Sequence, residues 1–305
     1  MNQLIFPPYL QPEDKVAIVS PSGKIDKFIL KEMKKKLEAW QLKPYISKNA
    51  GQSWGKYAGT TTQRMADLQA TMNDSEVRAI FCSRGGYGAV HLIDKLDFTR
   101  FRESPKWLIG FSDITVLHNL LQANGYASLH ALMGRHLVVE PDEDACKTYL
   151  KDILFGKLPD YKCAGHKLNK PGVARGILRG GNMAVMYGLR GTPYDIPPEN
   201  TILFLEDVGE RPHAIERMVY NLKLGGILDK LSGLIVGQFT EFEEDKSLGK
   251  ELYHALADVL KLCNCPLCFN FPVGHVTNNL PLICGAEVEL KVSKKEVGLK
   301  FFPES

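Results

Sequence analysis

Short apolar runs alternate with amphipathic stretches along the first half of the chain. Lys15-Val16-Ala17-Ile18-Val19-Ser20 is a near-continuous apolar run of strand length, and Pro21-Ser22-Gly23 then signals a turn. From about Asp26 to Trp40 the apolar positions recur at helical spacing, and Arg64 to Met72 reads the same way. Val77–Cys82 and Trp107–Phe111 predict two more buried strands. Each leads into a segment read as a helix, one from about Ala89 and one from Ile114 to Ala123. Strands alternating with helices predict parallel strands joined by crossovers.

The pattern changes around residues 156–175, where Gly156-Lys157-Leu158-Pro159-Asp160 and Leu168-Asn169-Lys170-Pro171-Gly172 are rich in breakers. A domain boundary is expected there, with residues 1–160 as an N-terminal α/β domain and 161–305 as a C-terminal domain. Beyond it the pattern predicts a helix starting near Asn182, a strand Thr201–Leu205 and a helix Ala214–Leu224. A strand Gly233–Gly237, a helix Lys250–Leu262 and a strand Phe269–Phe271 follow. Two β-like runs, Glu287–Val292 and Val297–Phe302, close the chain. The expected fold is thus α/β, a parallel-sheet domain followed by a mixed one.

Composition narrows the partners. The 305 residues are 44% hydrophobic and 24% charged, with 38 Lys+Arg against 35 Asp+Glu and no block of one sign. Nucleic acid and anionic membranes favour clustered basic charge, so a small molecule or peptide is the expected partner. No apolar run reaches the ~20 residues of a membrane span. Met1–Pro8 lacks the basic-then-apolar pattern of a signal peptide, and a reducing cytoplasm is expected to house the seven cysteines.

Three strand ends carry candidate chemistry. Ser112 directly follows the apolar run Trp107–Phe111 and precedes a helix. Ligand sites of open α/β sheets lie at the carboxyl edge of the strands, and a helix start offers N–H groups to an oxyanion. The Gly-x-Ser-x-Gly spacing is absent, since Ile114 stands where the second Gly would be. Two readings of Ser112 stay open, a nucleophile and a helix N-cap. Thr201–Leu205 ends in Glu206-Asp207, and Phe269–Gly274 ends in His275. Ser112, Glu206 and His275 at three strand ends would supply nucleophile, orienting carboxylate and base. Asp207 and Glu210 compete with Glu206, and His213 is the best rival to His275.

Two Gly-rich turns, Ser83-Arg84-Gly85-Gly86-Tyr87-Gly88 and Arg179-Gly180-Gly181-Asn182, each precede an expected helix. Either is a tight structural turn or a backbone cradle for an anion. Cys263, Cys265 and Cys268 cluster without a fourth ligand at finger spacing, so buried thiols are expected and no metal. Glu241–Asp245 reads as a solvated acidic loop.

Taken in chain order, Val16–Gly23, Ala79–Gly88, Gly110–Asp113, Gly180–Asn182, Leu205–Glu210 and Pro272–His275 resemble the LD-carboxypeptidase family. That family includes muramoyltetrapeptide carboxypeptidases and microcin-immunity-type serine peptidases. The resemblance implies an N-terminal α/β domain and a C-terminal mixed domain with the active site between them, and homodimers. It implies a triad of Ser112, Glu206 and His275, with oxyanion donors at Gly86 (or its neighbour Gly85) and Asp113. It implies release of a terminal D-alanine from a muropeptide, without a cofactor. The substrate's carboxylate would meet Arg84 and Gly85, or Gly181 and Asn182. The chain departs from the family where His-Gly-Pro is usual, reading His130-Ala131-Leu132-Met133. Two other functions stay open. One keeps the triad and takes a microcin-like aminoacyl nucleotide; the other is a non-catalytic anion-binding protein in which Ser112 only caps a helix.

Overall fold

The computed structural model describes residues 4–245 and 249–302. Among them are nine α-helices and thirteen strands, in two sheets. The chain divides into two compact units. The first is Met1–Lys157 with Leu280–Ile283, the second Leu158–Asn279 with Cys284–Ser305. No helix among the described residues is long and apolar enough to cross a membrane.

The first unit is built on a six-stranded sheet. Its strands are β1 (Lys15–Val19), β2 (Lys43–Ile46), β3 (Val77–Cys82), β4 (Trp107–Gly110) and β5 (Ser128–His130), all parallel. The sheet order is β11-β5-β4-β3-β1-β2, and β11 (Leu282–Cys284) arrives from far along the sequence. The central strands are buried on both faces, as their unbroken apolar runs require. Helix α1 (Lys27–Ala39) is capped by Asp26, which accepts from Phe28 N at 2.7 Å. Helix α2 (Thr61–Asn73) starts three residues earlier than its periodicity suggests. A capping box of Thr60 and Gln63 extends it.

The helix expected from Ala89 is not there. Ala89–His91 is a single 3-10 turn. Ala89 N donates to the Asp113 carboxylate, and His91 N, Leu92 N and Lys95 N bond three residues back instead of four. The next helix is the short α3 (Thr99–Glu103). After β4 come α4 (Thr115–Ala123), α5 (Gly134–Val139) and α6 (Ala145–Leu154); the last two have no counterpart in the sequence reading.

The second unit carries a seven-stranded sheet of order β10-β9-β8-β7-β12-β13-β6. Strands β7 (Gly172–Asn182), β8 (Thr201–Val208), β9 (Gly233–Thr240) and β10 (Leu267–Cys268) are parallel. Antiparallel β12 (Glu287–Val292) and β13 (Glu296–Phe301) join it to β6 (Asp160–Ala164). Helices α7 (Met183–Tyr187), α8 (Pro212–Leu224) and α9 (Leu252–Leu260) pack on Leu203, Leu205, Leu234 and Val236. The supposed turn Arg179–Asn182 is the end of β7, with Gly181 opposite Leu205 and Asn182 opposite Glu206. Gly180 is obligatory there, because a Cβ would fall 2.0 Å from Phe204 O. The strand expected at Phe269–Phe271 lies two residues earlier, at Leu267–Cys268. Phe269 N turns to Asn169 Oδ1 at 2.8 Å, and Asn270, at φ +61°, breaks the extended run.

Candidate active site

The first unit holds Ser112 on a strained elbow. β4 ends at Gly110, Phe111 stays extended, and Ser112 takes φ +65°. A non-glycine residue in that region costs on the order of 1–3 kcal/mol and persists only where its surroundings enforce it. Ser112 is not a helix N-cap: Phe111 occupies that position, and no side chain caps the 3-10 turn Ser112–Ile114. His118, buried beneath, bonds Gly110 O and Ser128 Oγ at 2.8 Å each. Burial pushes its pKa down to about 4, so it is a neutral strut.

The Gly-rich turn after β3 lies directly against the serine. A Cβ on Gly85 would fall 2.8 Å from Ser112 Cβ, 2.9 Å from its Oγ and 3.3 Å from Asp113 N. Gly85 O accepts from Gly23 N at 2.9 Å, and Gly86 sits at φ +105°. The Asp113 carboxylate, 3% exposed, accepts from Ser22 Oγ and from Ala89 N. Burial raises its pKa against the pull of those two donors. Buried Arg64 donates to Pro21 O and Gly88 O, each at 2.7 Å. Asp113 and Arg64 thereby lock together the turns that follow β1, β3 and β4. Arg84 is exposed and donates to Lys24 O at 2.8 Å.

The second unit pairs His275 with Glu206, Nδ1 to Oε2 at 2.8 Å. Glu206 is fully buried. A register shift between Leu205 and Asp207 against β9 falls on this residue, and such irregularities re-aim a side chain. Gly274 lets the two meet. Its φ is +125°, and a Cβ there would fall 2.9 Å from Glu206 Cβ and 3.0 Å from Oε2. Gly274 N donates to Asn279 Oδ1 at 3.0 Å, which ties down the His275 loop. A carboxylate at Nδ1 selects the tautomer protonated there and leaves Nε2 able to accept a proton.

Asp207 faces elsewhere. It accepts from Asn182 Nδ2, Ala184 N and Val208 N, each at 2.8 Å. Asn182 Oδ1 in turn accepts from Val185 N at 3.1 Å, capping α7. Gly181 and Asn182 are buried, so this pair is a strand end tied to Asp207 and not an open turn. His213 lies 3.7 Å from Asp245, away from the Glu206 pairing. His91 packs on Tyr57 and Tyr87, His130 and His136 on Phe111, His166 on Phe269, and His254 faces Glu251.

Burial pushes the Asp207 carboxyl up to about 6, against the pull of its three donors. Its folded pKa therefore lies above the ~3.9 of a free aspartate. Its contribution to stability is full below about pH 4 and is lost as pH rises through 6. Relative to Asp207→Asn, the wild type is expected to lose on the order of 2 kcal/mol of unfolding free energy between pH 4 and 7. Urea denaturation of both proteins at several pH values measures this, and a difference that does not change with pH would refute it.

The cysteine cluster differs from the expectation of thiols. Cys263 and Cys265 form a disulfide with Cα atoms 5.5 Å apart, which spacing alone does not announce, while Cys268 is a buried free thiol. Among the described residues no group of three or more His, Cys, Asp or Glu is placed to hold a metal ion. Sequence reasoning missed Ser22, Arg64, Asp113's carboxylate and Asn279. Ser22 sits in the turn signal after β1 and was the one with a visible cue.

Residues 16–131 match the LD-carboxypeptidase N-terminal domain, and residues 175–290 match the LD-carboxypeptidase C-terminal domain. A putative carboxypeptidase of Synechocystis is 35% identical over 92% of this chain and 92% of its own. The murein tetrapeptide carboxypeptidase of Pseudomonas aeruginosa is 29% identical over 88% of this chain and 91% of its own. The crystal structure of muramoyltetrapeptide carboxypeptidase from Oxalobacter formigenes shares the fold at a TM-score of 0.86 and 24% identity. That likeness covers 95% of this chain and 99% of the other.

Proposed function

The chain belongs to the LD-carboxypeptidase family, and from that premise we propose that it is a serine peptidase releasing terminal D-alanine from murein tetrapeptide in peptidoglycan recycling. The observation that carries the reading is Ser112 at φ +65° after β4, with Gly85 packed on it. The pairing of His275 with the buried Glu206, which has the geometry of a base and its orienting group, supports it.

In this reading Ser112 Oγ attacks the carbonyl of the L,D-amide. His275 Nε2 takes the hydroxyl proton and later gives it to the leaving amine of D-alanine. Glu206 holds the imidazole tautomer and stabilises its cationic form. The N–H groups of Gly86 and Asp113 receive the oxyanion. Arg84 pairs with the substrate's terminal carboxylate, while Gly181 and Asn182 support the site through Asp207. Water then repeats the cycle on the acyl-enzyme. The same reading places the enzyme in the cytoplasm, as a homodimer.

Incubation with murein tetrapeptide is expected to yield tripeptide and D-alanine, detected by coupling to D-amino-acid oxidase. EDTA is expected to leave the rate unchanged. A tetrapeptide ending in L-alanine is expected to stay intact; its cleavage, or no cleavage of either isomer, would refute the assignment.

A further inference from the structure

The turn that packs on Ser112 runs on into an exposed aromatic surface that the proposed chemistry leaves unused. Two residues beyond Gly85, Tyr87 is 46% exposed. Its ring lies 6.2 Å from that of Tyr57, and Tyr57 stacks on Trp54 at 5.8 Å and 26°. Trp54 is itself 58% exposed. His91 completes the group, edge-on to Tyr87 at 5.5 Å. Lys56 Nζ stands 4.4 Å from the Tyr87 ring centre.

This shelf is held in place by the frame that supports the serine. Trp54 and Tyr57 exchange both backbone N–H···O bonds at 3.0 Å, a closed turn that fixes the two rings relative to each other. Arg64, which clamps Pro21 O and Gly88 O, lies 5.2 Å from the Tyr57 ring centre. A Cβ on Gly88 would fall 2.9 Å from Tyr57 Cδ1, so the turn and the shelf are in direct contact. Isolated exposed apolar residues need no explanation, but contiguous rings rimmed by polar groups mark a binding surface.

The chemistry of this shelf fits a sugar. Trp and Tyr present an apolar face and a polar edge, which matches a pyranose with its C–H face and hydroxyl rim, and Lys56 adds a donor for ring oxygens or an acetamido carbonyl. In a tetrapeptide, three residues separate the terminal amide from the sugar that carries the peptide. Extended, they reach about 10–11 Å. Tyr87 lies two residues from Gly85, and ring-to-ring steps of 6.2 and 5.8 Å then lead to Trp54. A substrate with its scissile amide at Ser112 and its peptide laid along the Gly85–Tyr87 turn would bring its sugar toward this row of rings. We propose that Trp54, Tyr57 and Tyr87, with Lys56, form a subsite for the N-acetylhexosamine ring of a muropeptide. The assignment rests on the carboxypeptidase reading and names the part of the substrate it leaves open.

The test compares kcat/KM for a muramyl tetrapeptide and for the same tetrapeptide without its sugar. The wild type is expected to favour the sugar-bearing substrate. Trp54→Ala is expected to lose about five- to tenfold on that substrate through KM and to turn over the free tetrapeptide unchanged. Trp54→Phe, which keeps a ring, should retain most of the preference. Equal rates on both substrates in the wild type, or equal losses on both in Trp54→Ala, would overturn the subsite. A second arm reads binding without hydrolysis. The disaccharide N-acetylglucosaminyl-N-acetylmuramic acid should quench tryptophan fluorescence of the wild type and not of Trp54→Ala. Quenching by adenosine alone, or loss of a dimer on sedimentation of Trp54→Ala, would reassign the shelf to a nucleobase or to a second copy of the chain. Disaccharide quenching without any D-alanine release would support the sugar subsite while refuting the carboxypeptidase reading.

Discussion

Ser112→Ala is expected to lower D-alanine release by about five to six orders of magnitude and to leave the thermal transition within a few degrees of wild type. The activity loss is large because, in the proposed mechanism, the hydroxyl is the atom that forms the acyl bond. The stability change is small because alanine and serine carry the same backbone strain at φ +65°. That strain is a property of the frame, in which Asp113 and Arg64 lock the turns together. His275→Ala should do comparable damage. The double variant should be little worse than either single one, since members of a catalytic unit are far from additive. Near-wild-type turnover in Ser112→Ala would end the serine mechanism.

Glu206→Gln should act on activity and stability with opposite signs. The glutamine amide can present a donor to His275 Nδ1, which favours the tautomer with its proton on Nε2. That nitrogen can then no longer accept the serine proton. The analogous change in the serine-protease triad lowers kcat about 10⁴-fold, and a loss of about 10³–10⁴-fold is expected here. The same substitution relieves a cost. Glu206 is fully buried, and its Oε1 has no hydrogen-bond partner among the described residues. The isosteric amide keeps a hydrogen bond to the imidazole while removing the desolvation cost of a buried carboxylate. Urea denaturation should therefore show Glu206→Gln at least as stable as wild type. A kcat loss below tenfold would refute the orienting role, and a marked loss of stability would refute the account of the buried carboxylate.

The strands were legible wherever burial on both faces made them continuous apolar runs, as at Val77–Cys82 and Trp107–Gly110. Short or mixed strands were not. β2 begins with Lys43-Pro44, β5 has only three residues, and β11 joins the first sheet from position 282. The segment after Gly88 has helical spacing, yet its N–H groups bond three residues back and a single 3-10 turn forms instead. Phe269–Phe271 is apolar and strand-like, yet Asn169 captures its first N–H. There a side chain distant in sequence outcompeted the local pattern for a backbone donor.

Ser112, Glu206 and His275 were readable as polar residues ending apolar runs, and the ordered set of motifs pointed to the family whose two domains match the chain. That much depends only on local order along the chain, because strand length, turn residues and the chemistry of a strand's last side chain are all written in consecutive positions. Which carboxylate meets His275 was not so written. Glu206 and Asp207 are adjacent, and their separate partners follow from the irregular register against β9 and from Asn182 on β7. Nor could the chain announce that Gly85 must lack a side chain to lie against Ser112, or that Gly274 must lack one to admit Glu206. Those choices are made by contacts between residues tens of positions apart. Only packing brings such residues together, so only the tertiary structure decides them.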